Sequence, residues 1–251
     1  MVDEFIDEKR KRIALLIDGD NAQPSLVGKI LTEAGKYGLV TIRRIYGDWT
    51  TVNMAGWKHT LNINAIQPIQ QFRYTTGKNA TDSAMIIDAM DILHSNLVDG
   101  FCIVSSDSDY TRLATRIREI GFFVLGIGKQ KTPRAFVNAC NVFIYTENLI
   151  PRESGAKGKE ESRKVAARED KSKIADPIPL LKGAIEMARQ EDGWANLATI
   201  GFYLHQLDPG FDPRTYGYKQ LSQLIKMYSN LFELRFQNEA GPTTVHVKIK
   251  E

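Results

Sequence analysis

The sequence predicts an α/β chain: a mostly parallel sheet flanked by helices, followed by a small α+β winged-helix domain. Three observations point there. Over residues 1–150, short apolar runs alternate with helical periodicities. Over 151–176 the aromatic residues vanish and 14 of 26 residues are charged, the composition of a flexible linker that cannot bury enough apolar surface to order itself. From 177 to 251, three short amphipathic segments precede two alternating ones, as in a winged helix-turn-helix.

Each element has a local reason. Ile13-Ala-Leu-Leu-Ile17 is a continuous apolar run, the pattern of a strand buried on both faces. It ends in Asp18-Gly-Asp-Asn-Ala-Gln-Pro24, turn chemistry with a proline suited to a helix start. A helix then runs to about Tyr37, closed by Gly38. A strand at 39–46, a short helix near 54–61 and a strand near 65–72 follow. A helix over 80–95, a strand at 101–105, a helix at 110–120 stopped by Gly121, a strand at 122–127, a short helix at 133–140 and a strand at 142–145 complete the first domain. In the tail, Ile178, Leu181, Ile185 and Ala188 share one helical face, Leu197, Ile200, Leu204 and Leu207 a second, and Leu221, Leu224, Ile225 and Tyr228 a third. Phe232, Leu234 and Phe236 alternate, as do Val245, Val247 and Ile249, with a loop at 239–242 between them.

Composition narrows the function classes. The net charge is +3 over 251 residues. Residues 1–150 carry 17 basic and 16 acidic side chains, and residues 177–251 carry eight of each. No segment has the basic excess of a duplex-DNA coat protein, so any nucleic-acid contact must come from local patches. No apolar run reaches membrane-spanning length. Cys102 and Cys140 lie in apolar surroundings without metal-ligand spacing, so a reducing cytoplasm is expected rather than a disulfide scaffold.

In a parallel sheet, ligands gather beyond the carboxyl ends of the strands. Asp18, Asp20 and Asn21 follow the first strand, and Ser106, Asp107, Ser108 and Asp109 follow the strand at 101–105. Thr75-Thr-Gly-Lys-Asn-Ala-Thr-Asp82 opens a helix after the third. Met85 and Ile86 share the helical face of Asp82, which turns that carboxylate toward the core side, whereas Asp88 and Asp91 pair on what reads as the wet face. Taken singly, Asp107 and Asp109 suit helix caps, Asp18 a helix entry, and Asp82 a first-turn dipole partner. Their shared sheet edge points further. Converging carboxylates repel and need compensation. Oxygen ligands without His or Cys suit Mg²⁺ or Mn²⁺, and such sites suit phosphoryl chemistry. His59 and His94 read as surface or packing residues and Asp48 as a turn residue. Ser105 and Ser106 lack a nearby His to activate them, and no Walker A sequence occurs.

Ile17-Asp-Gly-Asp-Asn21, Tyr46-Gly-Asp-Trp49, Gly77-Lys-Asn-Ala-Thr-Asp82 and Val104-Ser-Ser-Asp-Ser-Asp109 together resemble the NYN domain, over roughly residues 12–148. This is the LabA-like/limkain-type branch of the PIN-like nucleases. The resemblance implies a metal-dependent ribonuclease fold related to flap endonucleases. It implies that Asp18, Asp82, Asp107 and Asp109 hold the metal, with Asn21 the polar residue beside the first acid. Lys78, Lys129, Lys131 and Arg134 are then the expected contacts to RNA phosphates, although the basic loop at 129–133 also suits plain solvation.

Asp212-Pro-Arg-Thr-Tyr-Gly-Tyr-Lys-Gln-Leu221 and Leu231-Phe-Glu-Leu234 resemble the LOTUS (OST-HTH) domain, over about 177–250. That family implies a winged helix linked to RNA and RNA-processing partners. No acid occurs from Pro213 through Phe232, whereas Arg214, Lys219 and Lys226 do. Tyr216, Tyr218, Lys219 and Lys226 are thus candidate RNA contacts, with a protein-docking face or plain core as the competing reading.

The expected function is a Mg²⁺- or Mn²⁺-dependent endoribonuclease acting on single-stranded or structured RNA, with a C-terminal module for RNA or a protein partner; a homodimer is compatible with it. A non-catalytic RNA-binding adaptor competes. So does a haloacid-dehalogenase-type phosphatase, whose opening pattern Asp18-Gly-Asp20 matches, although Asn21 stands where that family has Thr.

Overall fold

The computed structural model describes residues 10–72, 80–150, 175–237 and 244–250. Most of the expected linker, the loop at 239–242 and Lys78 lie outside them. The chain divides into two compact units, Met1–Leu149 and Ile150–Glu251.

The first unit is built on six parallel strands: β1 (Arg12–Asp18), β2 (Leu39–Gly47), β3 (Gln67–Gln70), β4 (Gly100–Val104), β5 (Phe123–Gly128) and β6 (Val142–Tyr145), in the order β3-β2-β1-β4-β5-β6. The chain steps outward from β1 to β3, then returns to β4 and steps outward on the other side. The crevice between β1 and β4 is therefore the topological switch point, where such sheets place ligands.

Burial explains the unbroken apolar run of β1. Ile13, Leu15 and Ile17 face one layer, with Val27, Ile30 and Ala34 of α1 (Val27–Ala34) and Leu61 of α2 (Lys58–Ile63). Ala14 and Leu16 face the other, with Met85, Ala89 and Ile92 of α3 (Ala80–His94), Leu113 and Ile117 of α4 (Thr111–Glu119) and Phe136 of α5 (Arg134–Ala139). Each fully buried Leu or Ile contributes about 1.5–3 kcal/mol of transfer free energy, which anchors β1 as the central strand.

Three details differ from the sequence reading. The helix after Pro24 is a short 3₁₀ turn, Pro24–Leu26, followed by α1, which ends at Ala34 rather than Tyr37. Gly38 is not its cap: a Cβ there would lie 2.2 Å from the Lys11 carbonyl oxygen, so glycine lets the chain pass close to β1 as it enters β2. Asp88 is not paired with Asp91 on a wet face. It accepts hydrogen bonds from the Arg44 guanidinium and the Tyr46 hydroxyl, and so ties α3 to β2.

Among its described residues the second unit has three helices, α6 (Ile178–Ala188), α7 (Leu197–Leu207) and α8 (Leu221–Met227). Its antiparallel sheet has β7 (Ala195–Asn196), β9 (Thr244–Ile249) and β8 (Phe232–Gln237) in that spatial order. Leu181, Ile185, Ile200, Leu204, Leu224, Ile225, Phe232 and Val247 form its core, so the three expected helical faces meet over the wing, except that Leu207 of the second face is exposed. Among the described residues, no helix is long and apolar enough to cross a membrane.

Candidate metal centre

Asp18 closes β1 and is only 1% exposed. One carboxylate oxygen accepts from the Asp20 amide at 3.1 Å. The other accepts from the Asn21 side-chain amide at 2.6 Å and from the Ser105 hydroxyl at 2.8 Å. Ser105 follows β4, so the β1–β4 pairing brings together residues 87 apart in sequence. Burial raises the proton affinity of Asp18 above the ordinary carboxylate range; Asn21 and Ser105 oppose the shift, and the negative charge of Asp82 adds to it.

Asp107 caps the 3₁₀ turn Ser108–Tyr110, accepting from the Asp109 amide at 3.0 Å. Its own amide donates to Ser105 Oγ at 3.1 Å. A chain of hydrogen bonds thus runs from the Asp107 backbone through Ser105 to Asp18. The capping role that Asp107 suits on its own is real, and the same geometry aims it at the crevice.

Asp82 lies in the first turn of α3 and accepts from the Tyr110 hydroxyl at 2.6 Å. Met85 beside it is fully buried, as the shared helical face requires. Burial raises its proton affinity, the Tyr110 bond opposes the shift, and the charges of Asp107, Asp109 and Asp20 reinforce it. One oxygen from each of Asp82, Asp107 and Asp109 lies within 4.8 Å of the others. Three of the four predicted metal acids therefore converge. Asp18 stands outside that trio, with both oxygens engaged by protein donors.

The loop after β5 joins the same edge, because the Lys129 amide donates to Ser106 Oγ at 2.8 Å. Asn21, Ser106 and Lys129 line one small cleft. Lys129 is half-buried, and Lys131 and Arg134 are exposed. In the second unit, Lys219 and Lys226 are exposed, while Tyr216 and Tyr218 pack against the core. Tyr216 lies tilted on Phe211, with ring centroids 5.8 Å apart. Arg214 is drawn back onto Asp212, Nη2 to Oδ2 at 2.7 Å, so its charge is locally offset.

Sequence reasoning passed over Tyr110 and weighed Ser105 only as a nucleophile. Ser105 matters here as a donor to Asp18, not as a nucleophile. No local pattern marks Tyr110, whose partner is 28 residues away.

The NYN domain family matches residues 12–149, and the OST-HTH/LOTUS domain family matches residues 172–243. No curated protein matches the chain. Among solved structures, a protein of unknown function from Vibrio parahaemolyticus is similar at 18% identity, over 55% of this chain and 94% of its own, with a TM-score of 0.46. An uncharacterised protein from Nitrosomonas europaea is 32% identical over 41% of this chain and 93% of its own, with a TM-score of 0.29. MurG from Acinetobacter baumannii is 13% identical over 59% of this chain and 44% of its own, with a TM-score of 0.36. The family matches cover both units: the chain belongs to the NYN family of PIN-like nuclease folds and carries a C-terminal OST-HTH/LOTUS domain, a module linked to RNA binding.

Proposed function

We propose that the chain is a Mg²⁺- or Mn²⁺-dependent endoribonuclease that hydrolyses RNA phosphodiester bonds. The observation that carries this reading is the convergence of Asp82, Asp107 and Asp109 at the carboxyl end of the sheet. The donor set fits a hard cation, since it is made of carboxylate oxygens alone. The charges of Asp107 and Asp109 add to the raised proton affinity of Asp82, and a divalent cation offsets that repulsion. Asp82, Asp107 and Asp109 would hold it, with Asp18 completing the acidic wall. A cation held there would lower the pKa of water for attack at phosphorus and would offset charge developing on the leaving oxygen.

The remaining roles belong to the chain itself. Tyr110 orients Asp82, and Ser105 and Asn21 orient Asp18. Asn21 keeps a second amide hydrogen for a phosphate oxygen. Lys78, Lys129, Lys131 and Arg134 would meet the RNA backbone, and Lys219, Lys226, Tyr216 and Tyr218 of the winged helix would recruit RNA or a protein partner. Cys102 and Cys140 are buried free thiols, in keeping with a cytoplasmic protein.

The test is the purified chain with labelled single-stranded RNA, with and without Mn²⁺ or Mg²⁺, beside Asp107→Asn and Asp82→Asn. Metal-dependent cleavage lost in both variants is the expected result. Cleavage that survives both overturns the reading. One observation favours the non-catalytic adaptor: both oxygens of Asp18 are already taken by protein donors. RNA binding without turnover under either metal would select it.

A further inference from the structure

The acidic centre occupies only the middle of the sheet's carboxyl edge. Its flanks have the opposite character. Between Asp48 and Asp82 the chain has no acidic residue, the longest such interval it contains, and between Glu119 and Glu147 it has none either. The second interval holds Lys129, Lys131 and Arg134, on the β5–β6 side. The first builds β3, α2 and the 3₁₀ turn Val52–Trp57 on the other side, and the proposed nuclease leaves it without a role.

That side is not a smooth surface. A groove of about 920 Å³ runs along β3, lined by Trp49, Met54, Lys58, Asn62, Pro68 and Gln70 among others. Among the described residues, no carboxylate lines it. The half-buried Trp49 is held before any ligand arrives: its indole N–H donates to the Ile69 carbonyl at 2.9 Å, and its amide donates to Gln70 Oε1 at 3.0 Å. Gln70 in turn donates to the buried Asp48 at 3.0 Å, so the charge of Asp48 is spent inside the loop. Met54 anchors the floor. A Cβ on Gly47 would lie 1.9 Å from Met54 Cε, so Met54 packs directly over the end of β2, and one on Gly19 would lie 2.7 Å from both Met54 Cε and the Tyr46 carbonyl oxygen, so glycine is needed at the end of β1. Gly19 directly follows Asp18.

We infer that this groove is a nucleobase subsite of an RNA strand that crosses the carboxyl edge of the sheet, with a base stacked on Trp49 and Lys58 meeting the backbone. The occupant follows from charge and shape. A polyanion is repelled by the acidic centre unless cations lie on its path, and the acid-free flank supplies one beside an aromatic ring and polar edges. That pairing of stacking platform and cation is how single strands are held. β3 lies two strands from β1, about 10 Å along the edge at ordinary strand spacing, within reach of a continuous strand. The inference rests on RNA as the ligand of the acidic edge, not on its cleavage.

The test separates the two. A fluorescent single-stranded uridine oligonucleotide of roughly twelve nucleotides is titrated into the full chain in EDTA, so that binding is read without turnover. Trp49→Phe, Trp49→Ala and the surface change Lys58→Glu are compared, each checked for folding by circular dichroism. The wild type is expected to lose tryptophan emission on binding, and Trp49→Phe to lose that quenching. Trp49→Ala should weaken binding roughly tenfold, and Lys58→Glu should weaken it and flatten its salt dependence. Unchanged affinity in folded Lys58→Glu together with wild-type quenching in Trp49→Phe overturns the subsite, whatever Trp49→Ala does. So does a wild-type chain that ignores the oligonucleotide. Unchanged RNA affinity with lost self-association would hand the groove to a second copy and also overturn it. Binding with quenching but no cleavage in Mn²⁺ would sink the nuclease reading and leave the subsite standing.

Discussion

Both domains seat aspartates in local turns, but the NYN domain also ties them to distant elements. In the winged helix, Asp176, Asp192, Asp208 and Asp212 each accept from the backbone amide two residues on. These are local turns, and Asp212 adds its neighbour Arg214. In the NYN domain, Asp18 is held by Ser105 and Asp82 by Tyr110, partners 87 and 28 residues away. Asp82, Asp107 and Asp109 then each bring a carboxylate oxygen within 4.8 Å of the others. An acid satisfied by its own turn is doing structural work. Acids that distant elements force into one place store repulsion that a ligand can relieve.

The sharpest way to break that contrast is activity. Asp82→Asn or Asp107→Asn is expected to lower metal-dependent RNA cleavage by roughly 10²–10³-fold, the loss typical of removing one group that stabilises charge in a transition state. Asp212→Asn should leave cleavage of a short oligonucleotide within about twofold, because only local turn and pair energy is lost. Equal losses in both domains would erase the distinction.

The pH dependence of stability should differ in sign. Asp18 and Asp82 have folded-state proton affinities raised by burial. Their contribution to stability is complete below the unfolded carboxylate value of about 4 and is lost as pH rises through the folded values. The metal-free NYN domain should therefore weaken from mild acid toward neutral pH, and saturating Mn²⁺ should restore about 2–3 kcal/mol at neutral pH through ligand linkage. In the winged helix, His205 is shifted down, chiefly by burial and against the pull of Asp212. Its contribution is present above the unfolded value of about 6.5 and is lost as pH falls through the folded one. Calorimetry across pH, with and without Mn²⁺, checks both slopes.

Smaller effects sharpen the picture. Tyr110→Phe should cost about 1–2 kcal/mol in denaturant unfolding, since the half-buried Asp82 loses its hydroxyl donor. A cycle with Asp82→Asn should show that the two changes are not additive. Asp109→Asn, at the exposed member of the trio, should stabilise the metal-free domain by about 0.5 kcal/mol while impairing cleavage. Destabilisation there would mean that the trio is not under repulsion.

Much of this was legible in the chain. The apolar run at 13–17 announces a strand buried on both faces, and the 3.6-residue periodicities of the tail announce three helices, because each pattern depends on neighbours only a few residues away. The same logic puts Asp18, Asp82, Asp107 and Asp109 beyond strand ends, since turn chemistry follows each strand. Which acids meet was not legible. That depends on β1 lying against β4 and on how α3 and the 108–110 turn settle over it, which brings Tyr110 to Asp82 and Ser105 to Asp18 and leaves Asp18 outside the trio. The same packing moved Asp88 from a presumed wet face to Arg44 and Tyr46. Local pattern is set by bonds and rotations along the chain, whereas a shared pocket is set by strand order and register, which no short window of residues contains.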